Sequence, residues 1–245
     1  MQTASLVARL TRGRPLTVGE HFFAHSFRAG DFGGLMDPVL MVDHFWMRKD
    51  TFGMHRHQGI SALTYVFPDS RSAHQNHDSI GNHLPIEAGS LHWFAAGQGA
   101  EHHEYPDGED ALVHALQIFV DLPPELKRAP ARAMHLEAQD IPEFRAAGVH
   151  VRVASGELHG VRSPIRPTQP FYLFDAHLEA GASIEIPVPA HWSVWLYAME
   201  GTLALDSLTL QAGQATALRI DDPSLSVASA DVSHFVLMAG LPQSV

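Results

Sequence analysis

The sequence predicts an all-β protein made of two similar barrels, on three observations. Gly (19) and Pro (16) are abundant while charged residues make up only 18% of the 245-residue chain, a balance that favours tight turns over long amphipathic helices. Apolar residues fall in short runs closed by turn signals such as Pro68-Asp69-Ser70 and Glu200-Gly201. A faint internal repeat sets Leu63-Thr64-Tyr65-Val66-Phe67 beside Trp195-Leu196-Tyr197-Ala198-Met199, and Gly89 beside Gly213.

In chain order, the first half reads as strands over residues 38–45, 60–67, 90–94 and 111–120. Residues 123–148 differ. Pro124 to Arg128 suits a short helix or turn, and 140–148 looks like one helical turn stopped by Gly148. Strand character resumes at 149–154 and continues through 171–178, 192–199, 202–208, 215–220 and 232–238, with Glu200-Gly201 as a hairpin turn. The expected division is a first barrel over 1–122, a connector over 123–148 and a second barrel over 149–245.

Composition narrows the function. With 16 Lys and Arg against 27 Asp and Glu, the net charge of −11 repels phosphate backbones and argues against direct nucleic-acid binding. Cysteine is absent, so disulfides, thiolate nucleophiles and Cys-based metal sites are excluded; 18 His are the main supply of metal ligands. No apolar run is long enough for a membrane span, and the first fifteen residues lack the continuous apolar stretch of a signal peptide; the expectation is a cytoplasmic protein.

The chemistry concentrates in two segments, Gly53-Met54-His55-Arg56-His57 and Gly97-Gln98-Gly99-Ala100-Glu101-His102-His103-Glu104. Each carries metal-competent side chains two apart, His55/His57 and His102/Glu104. On a β-strand such pairs share a face, so two neighbouring strands can aim three imidazoles and a carboxylate at one point. That donor set suits a divalent first-row ion, which in octahedral geometry keeps two positions open for chemistry. His103, adjacent to His102, is out of phase with Glu104. His92 is a second rival and reads better as a wall residue. In the repeat alignment His55 and His57 fall opposite Pro187 and Pro189, and His102 and Glu104 opposite Ser226 and Ala228, so only the first barrel carries ligands.

These residues sit in longer motifs. Asp37-Pro38 through Asp43-His44-Phe45, His55-Arg56-His57-Gln58-Gly59, Asp78-Ser79-Ile80-Gly81-Asn82, Gly89 through Glu104, and Leu116-Gln117-Ile118-Phe119-Val120-Asp121-Leu122-Pro123 follow one another along the chain. In that order they resemble the pirin family of two-barrel cupins, as do Gly156 to Pro164 and the stretch 171–201. The resemblance implies a bicupin: two antiparallel β-barrels packed face to face, joined by short helical connectors. It implies one divalent metal on His55, His57, His102 and Glu104, most readily Fe(II), with Ni, Mn, Cu, Co or Zn as substitutes. Some members of the family are described as quercetin 2,3-dioxygenases, which use O2 to open the flavonol heterocycle and release carbon monoxide. Others are described as regulators that bind transcription factors or metabolic enzymes.

The expected function is therefore a metal-dependent dioxygenase acting on O2 and a planar, flavonol-like aromatic, with Glu104 both ligand and catalytic base. The alternative is a non-catalytic, metal-dependent interaction protein with a protein partner. The chain departs from the family at Arg56, Gln58, Ser61 and His92, which puts the surroundings of the ligands in question rather than the ligands themselves. His74, His77 and His83 read as solvated residues of a polar loop, and His191 as structural or exposed. Phe52 and the strand aromatics Trp46, Tyr65 and Trp93 read as core, with one or two available to line a pocket.

Overall fold

A computed structural model describes residues 6–7, 10–205, 208–221 and 223–243. The chain folds as two like β units. In the first, a seven-stranded antiparallel sheet runs in the order Arg132–Leu136, Leu91–Ala95, Ile60–Val66, Val113–Asp121, Val39–Met47, Phe22–Arg28, Arg14–Val18. A second sheet of four strands belongs to the same unit, ordered His55–His57, Ala100–Pro106, His74–Asp78, His83–Ile86. The second unit repeats the plan with an eight-stranded and a four-stranded sheet. The earliest described strands, Leu6–Val7 and Thr11–Arg12, pair with Gln214–Arg219 of the second unit. Helix is confined, among the described residues, to the 3-10 turns Ala29–Phe32 and Ala138–Asp140.

Both faces of the seven-stranded sheet are buried, which explains why its strands read as nearly continuous apolar runs. One face (Phe27, Val42, Leu63, Tyr65, Trp93, Leu116, Ile118) packs on Trp195, Tyr197, Val236 and Met238 of the second unit. The two units therefore meet large sheet to large sheet. Each such side chain contributes roughly 1.5–3 kcal/mol on burial, so the seam is core rather than a docking contact.

Two hydrogen-bonded sets of polar side chains cross that seam. Tyr65 Oη donates to Asp175 Oδ2 at 2.7 Å and accepts from Arg152 Nη1 at 2.7 Å. A second chain runs from Tyr197 Oη through His44 and His114 to Asp69. Asp69 can only accept from His114 Nδ1–H, so His114 Nε2 accepts from His44 Nε2–H and His44 Nδ1 accepts the tyrosine proton.

The opposite face of the seven-stranded sheet looks into the first unit, and there the apolar packing is split in two. Phe22, Phe45, Met47, Val66 and Ala115 form one patch; Ala62, Phe94, Ala96 and Ala100 form another. Between them a polar row crosses the sheet in direct register: Ser26, Asp43, Gln117, Thr64, His92 and His135 are successive cross-strand partners. The second unit has one continuous apolar interior instead, built around Phe174, Trp192, Leu196 and Phe235. The polar row belongs to the first unit.

Two local expectations are corrected, and a third falls partly outside the described residues. His74–Asp78 and His83–Ile86 form a hairpin rather than a polar loop, because both pair in register across the Gly81 turn. The helical turn expected at 140–148 is instead the 3-10 turn at Ala138–Asp140 followed by strand Glu143–Ala146, which pairs with Val149–Ser155; sheet hydrogen bonds override the helix-forming composition. Within the strand expected at 202–208, residues 206 and 207 lie outside the described residues; Thr202–Leu205 pairs with Leu208–Gln211. Residues 1–5, 8 and 9 of the N-terminal stretch also lie outside them.

Candidate metal centre

Strands His55–His57 and Ala100–Pro106 are neighbours, with His102 opposite His55 and Ala100 opposite His57. The two-residue period puts His55, His57 and His102 on the inner face, and their Nε2 atoms converge: His57 to His102 is 3.0 Å and His102 to His55 is 3.2 Å. The rings stand at 63–82° to one another, so their in-plane lone pairs point at a common centre. Cis ligands about 2.1 Å from one ion lie about 3.0 Å apart, so the three nitrogens are spaced as a divalent ion requires. His55 Nδ1–H donates to Gly53 O at 2.9 Å, which leaves Nε2 as the free donor and fixes the ring. Phe94 stacks on His102 at 5.0 Å and 4°, and Phe119 packs edge-on to His57.

Electrostatics keep these rings ready for a cation. Burial first, and a neighbouring imidazole next, lower His57 and His102 to about 3. Both are neutral at pH 7, with lone pairs available.

Glu104 is held differently. It shares the inner face but lies outside the group of donor atoms mutually within 4.8 Å, which comprises His55, His57 and His102. Thr64 Oγ1 lies 2.9 and 2.8 Å from its two carboxylate oxygens and donates to them. Burial raises the Glu104 carboxyl, against lowering by His74 and Thr64, while burial lowers His74 to about 4. Both groups are pushed toward neutrality. The 3.9 Å His74–Glu104 separation is therefore a polar contact between partly desolvated groups rather than an ion pair.

The other sequence candidates sort by phase. His103 faces out and pairs with Asp50 at 2.8 Å. Arg56 also faces out, with Nη2 donating to Gln98 O, and Gln58 is exposed. Ser61 is buried on the far side of its strand, 3.5 Å from Thr168. Of the four family departures only His92 lines the interior, where neither ring nitrogen meets a partner and burial lowers it to about 3. Tyr65 and Trp93 belong to the seam and Trp46 is half-buried, whereas Phe52 reaches the cavity. His191 is exposed with φ 67°.

His77 and His83 face out as a cross-strand pair, with Nδ1 atoms 2.9 Å apart. A second donor group, Asp175, His177 and His234, lies on the second unit. Its imidazoles are stacked 4.0 Å apart at 19°, so their lone pairs run parallel rather than converging, and Asp175 is already engaged by Tyr65 and His234. It reads as a hydrogen-bonded seam cluster.

Beside the three histidines opens a cavity whose empty space, open solvent included, is about 580 Å3. Met41, Phe45 and Phe119 give it apolar walls, and His55, His74 and Glu104 its polar end. Sequence reasoning missed His74, Thr64, Gln117 and Asp43. Only strand register places them on this face.

The turn at 97–99 delivers the strand bearing His102 and Glu104. Gly97 has φ +51°, and a Cβ there would lie 2.1 Å from Ala129 O. Gly97→Ala should therefore cost at least about 2 kcal/mol and lower metal uptake with it. A wild-type denaturant midpoint for this variant would show that the turn yields freely.

Comparison with known proteins agrees with the geometry. Residues 10–120 match the Pirin family model and 173–245 the model of the Pirin C-terminal cupin domain. Human Pirin is 32% identical over 213 residues, 84% of this chain and 72% of its own length. The crystal structure of GK1651 from Geobacillus kaustophilus superposes with TM-score 0.89 at 27% identity, covering 100% of this chain and 99% of that one. A quercetin 2,3-dioxygenase from Acinetobacter baumannii gives TM-score 0.88 at 22% identity over 99% and 88% of the two chains, a likeness of fold. With both family models in order and a relative at this level of identity, the chain belongs to the pirin family.

Proposed function

We propose that the protein is a metal-dependent dioxygenase that opens the heterocycle of a flavonol-like aromatic, incorporating O2 and releasing carbon monoxide. The observation that carries this reading is the convergence of three Nε2 atoms at ion-ligand spacing beside an apolar-sided cavity that His55 lines. A divalent ion held there, Fe(II) foremost, would supply Lewis acidity toward a substrate hydroxyl and a redox partner for O2. Glu104, tethered by Thr64, accepts the hydroxyl proton or closes on the ion as a fourth ligand. Phe119 and Phe94 hold the His57 and His102 rings, and the apolar walls keep water from the reacting centre. The cavity weighs for this reading over a purely protein-binding role.

Oxygen consumption by Fe(II)-reconstituted protein given quercetin tests it. Uptake should fall at least about 100-fold in His57→Ala, which leaves two imidazoles where three converge. Wild-type protein that binds one equivalent of metal yet consumes no oxygen with quercetin would remove flavonol turnover while keeping the metal centre.

A further inference from the structure

Eleven residues line the cavity beside the three histidines; two are carboxylates, Asp43 and Glu104, and none is Lys or Arg. A ligand rich in hydroxyl donors would meet acceptors at two places. Glu104 is the acceptor at the metal end, tethered by Thr64. Asp43 lies on Val39–Met47, two strands from Thr64 in the polar row, with Gln117 between them. Two strand spacings put Asp43 about 10 Å from Thr64, so the acceptors are spread over the reach of a multi-ring aromatic.

The intervening and flanking groups are fixed. Gln117 Nε2 donates to Leu63 O at 3.0 Å, so its amide is committed to the sheet. Arg28 Nη1 donates to Asp43 Oδ1 at 2.7 Å; its side chain is 41% exposed against 11% for Asp43, so it orients the carboxylate from outside. Phe22 stacks on Phe45 at 5.5 Å and meets Phe52 edge-on at 5.0 Å, an aromatic wall beside the line from Glu104 to Asp43.

We infer that Asp43 is a specificity-determining residue that accepts a hydroxyl at the far end of a neutral polyhydroxylated aromatic. This rests on the proposed flavonol reading and adds to it the end of the substrate that the metal does not touch. A ligand lacking the far hydroxyls forgoes a hydrogen bond to a charged acceptor, while Asp43 keeps Arg28 as its partner.

The test is equilibrium binding to Ni(II)-loaded protein without oxygen, using quercetin and galangin (the flavonol without hydroxyls on its pendant ring). Wild-type protein should hold quercetin at least about 10-fold more tightly than galangin. Asp43→Leu should bring the quercetin-to-galangin ratio to about 1, and the near-isosteric Asp43→Asn should fall between. A ratio near 1 in the wild type or a ratio unchanged in Asp43→Leu would each overturn the inference. The ratio separates recognition from folding, because a general loss of structure weakens both flavonols together. Discrimination without oxygen uptake would sink the proposed reaction and leave this assignment standing; uptake without discrimination would do the reverse. Failure to bind either flavonol overturns both.

Discussion

Metal-free protein should lose roughly 4 kcal/mol of stability between pH 7.5 and pH 5 through His74 and His92 alone. Burial holds them at about 4 and about 3 in the fold, against 6.5 in the unfolded chain. As the pH falls, the unfolded state takes up protons first. The stability that depends on neutral rings is therefore complete above pH 6.5 and is lost as the pH descends toward the folded values. At pH 5, about 1.5 pH units below the unfolded value, each ring accounts for roughly 2 kcal/mol. His44 is also lowered well below 6.5, by burial first and His114 next, and acts in the same direction. Such a loss approaches the whole stability of many domains. Urea unfolding at pH 7.5, 6 and 5 with chelator present measures it. His92→Gln, an uncharged side chain at the same place, should remove about half of the pH dependence. A flat profile in the wild type, or an unchanged slope in His92→Gln, would mean that these rings are solvated in solution.

The convergence of His55, His57 and His102 was legible in the sequence because a strand's two-residue period needs only local phase: His55 with His57, and His102 rather than His103 on the face of Glu104. The same rule turns Arg56 outward, where Arg56 is found. Family order extended the reading from one site to two stacked units. The cavity was not legible. Asp43, Gln117, Thr64 and His92 come from four strands, and their alignment depends on four-way register that no single segment encodes. The hairpin bearing His74 was missed because a strand that is polar on both faces, His74-Gln75-Asn76-His77-Asp78, lacks the apolar alternation that marks strands. Its inner residues are polar because they face the metal centre; the site itself erased the signal. At 143–146 the failure was different. Glu143-Phe144-Arg145-Ala146 suits a helix locally, and only pairing with Val149–Ser155 decides against it.

Asp175→Ala should be among the most damaging single substitutions outside the metal centre, at about 3–5 kcal/mol. Asp175 is fully buried at the seam; it accepts from Tyr65 Oη at 2.7 Å and from His234 Nε2 at 2.5 Å. Arg152, 6% exposed, donates to Tyr65 Oη, Gly89 O and Ala138 O. Removing the carboxylate leaves the buried Tyr65 hydroxyl and the His234 ring without their acceptor, the case in which breaking a buried polar set costs most. Tyr65→Phe, which removes one hydroxyl and its two hydrogen bonds, should cost less, about 1–3 kcal/mol. The two losses should be sub-additive by 1 kcal/mol or more, because each variant disrupts the same bond. Denaturant unfolding of both single variants and the double variant reads this directly, and strict additivity would show that Tyr65 and Asp175 act apart. The consequence reaches the active face. Tyr65 follows Thr64 on one strand, so the residue that ties the two units and the residue that tethers Glu104 are the two faces of one backbone segment. Asp175→Ala should then lower metal occupancy at chelator concentrations that the wild-type protein withstands. An unaltered occupancy in a destabilised but folded variant would place the metal centre wholly within the first unit.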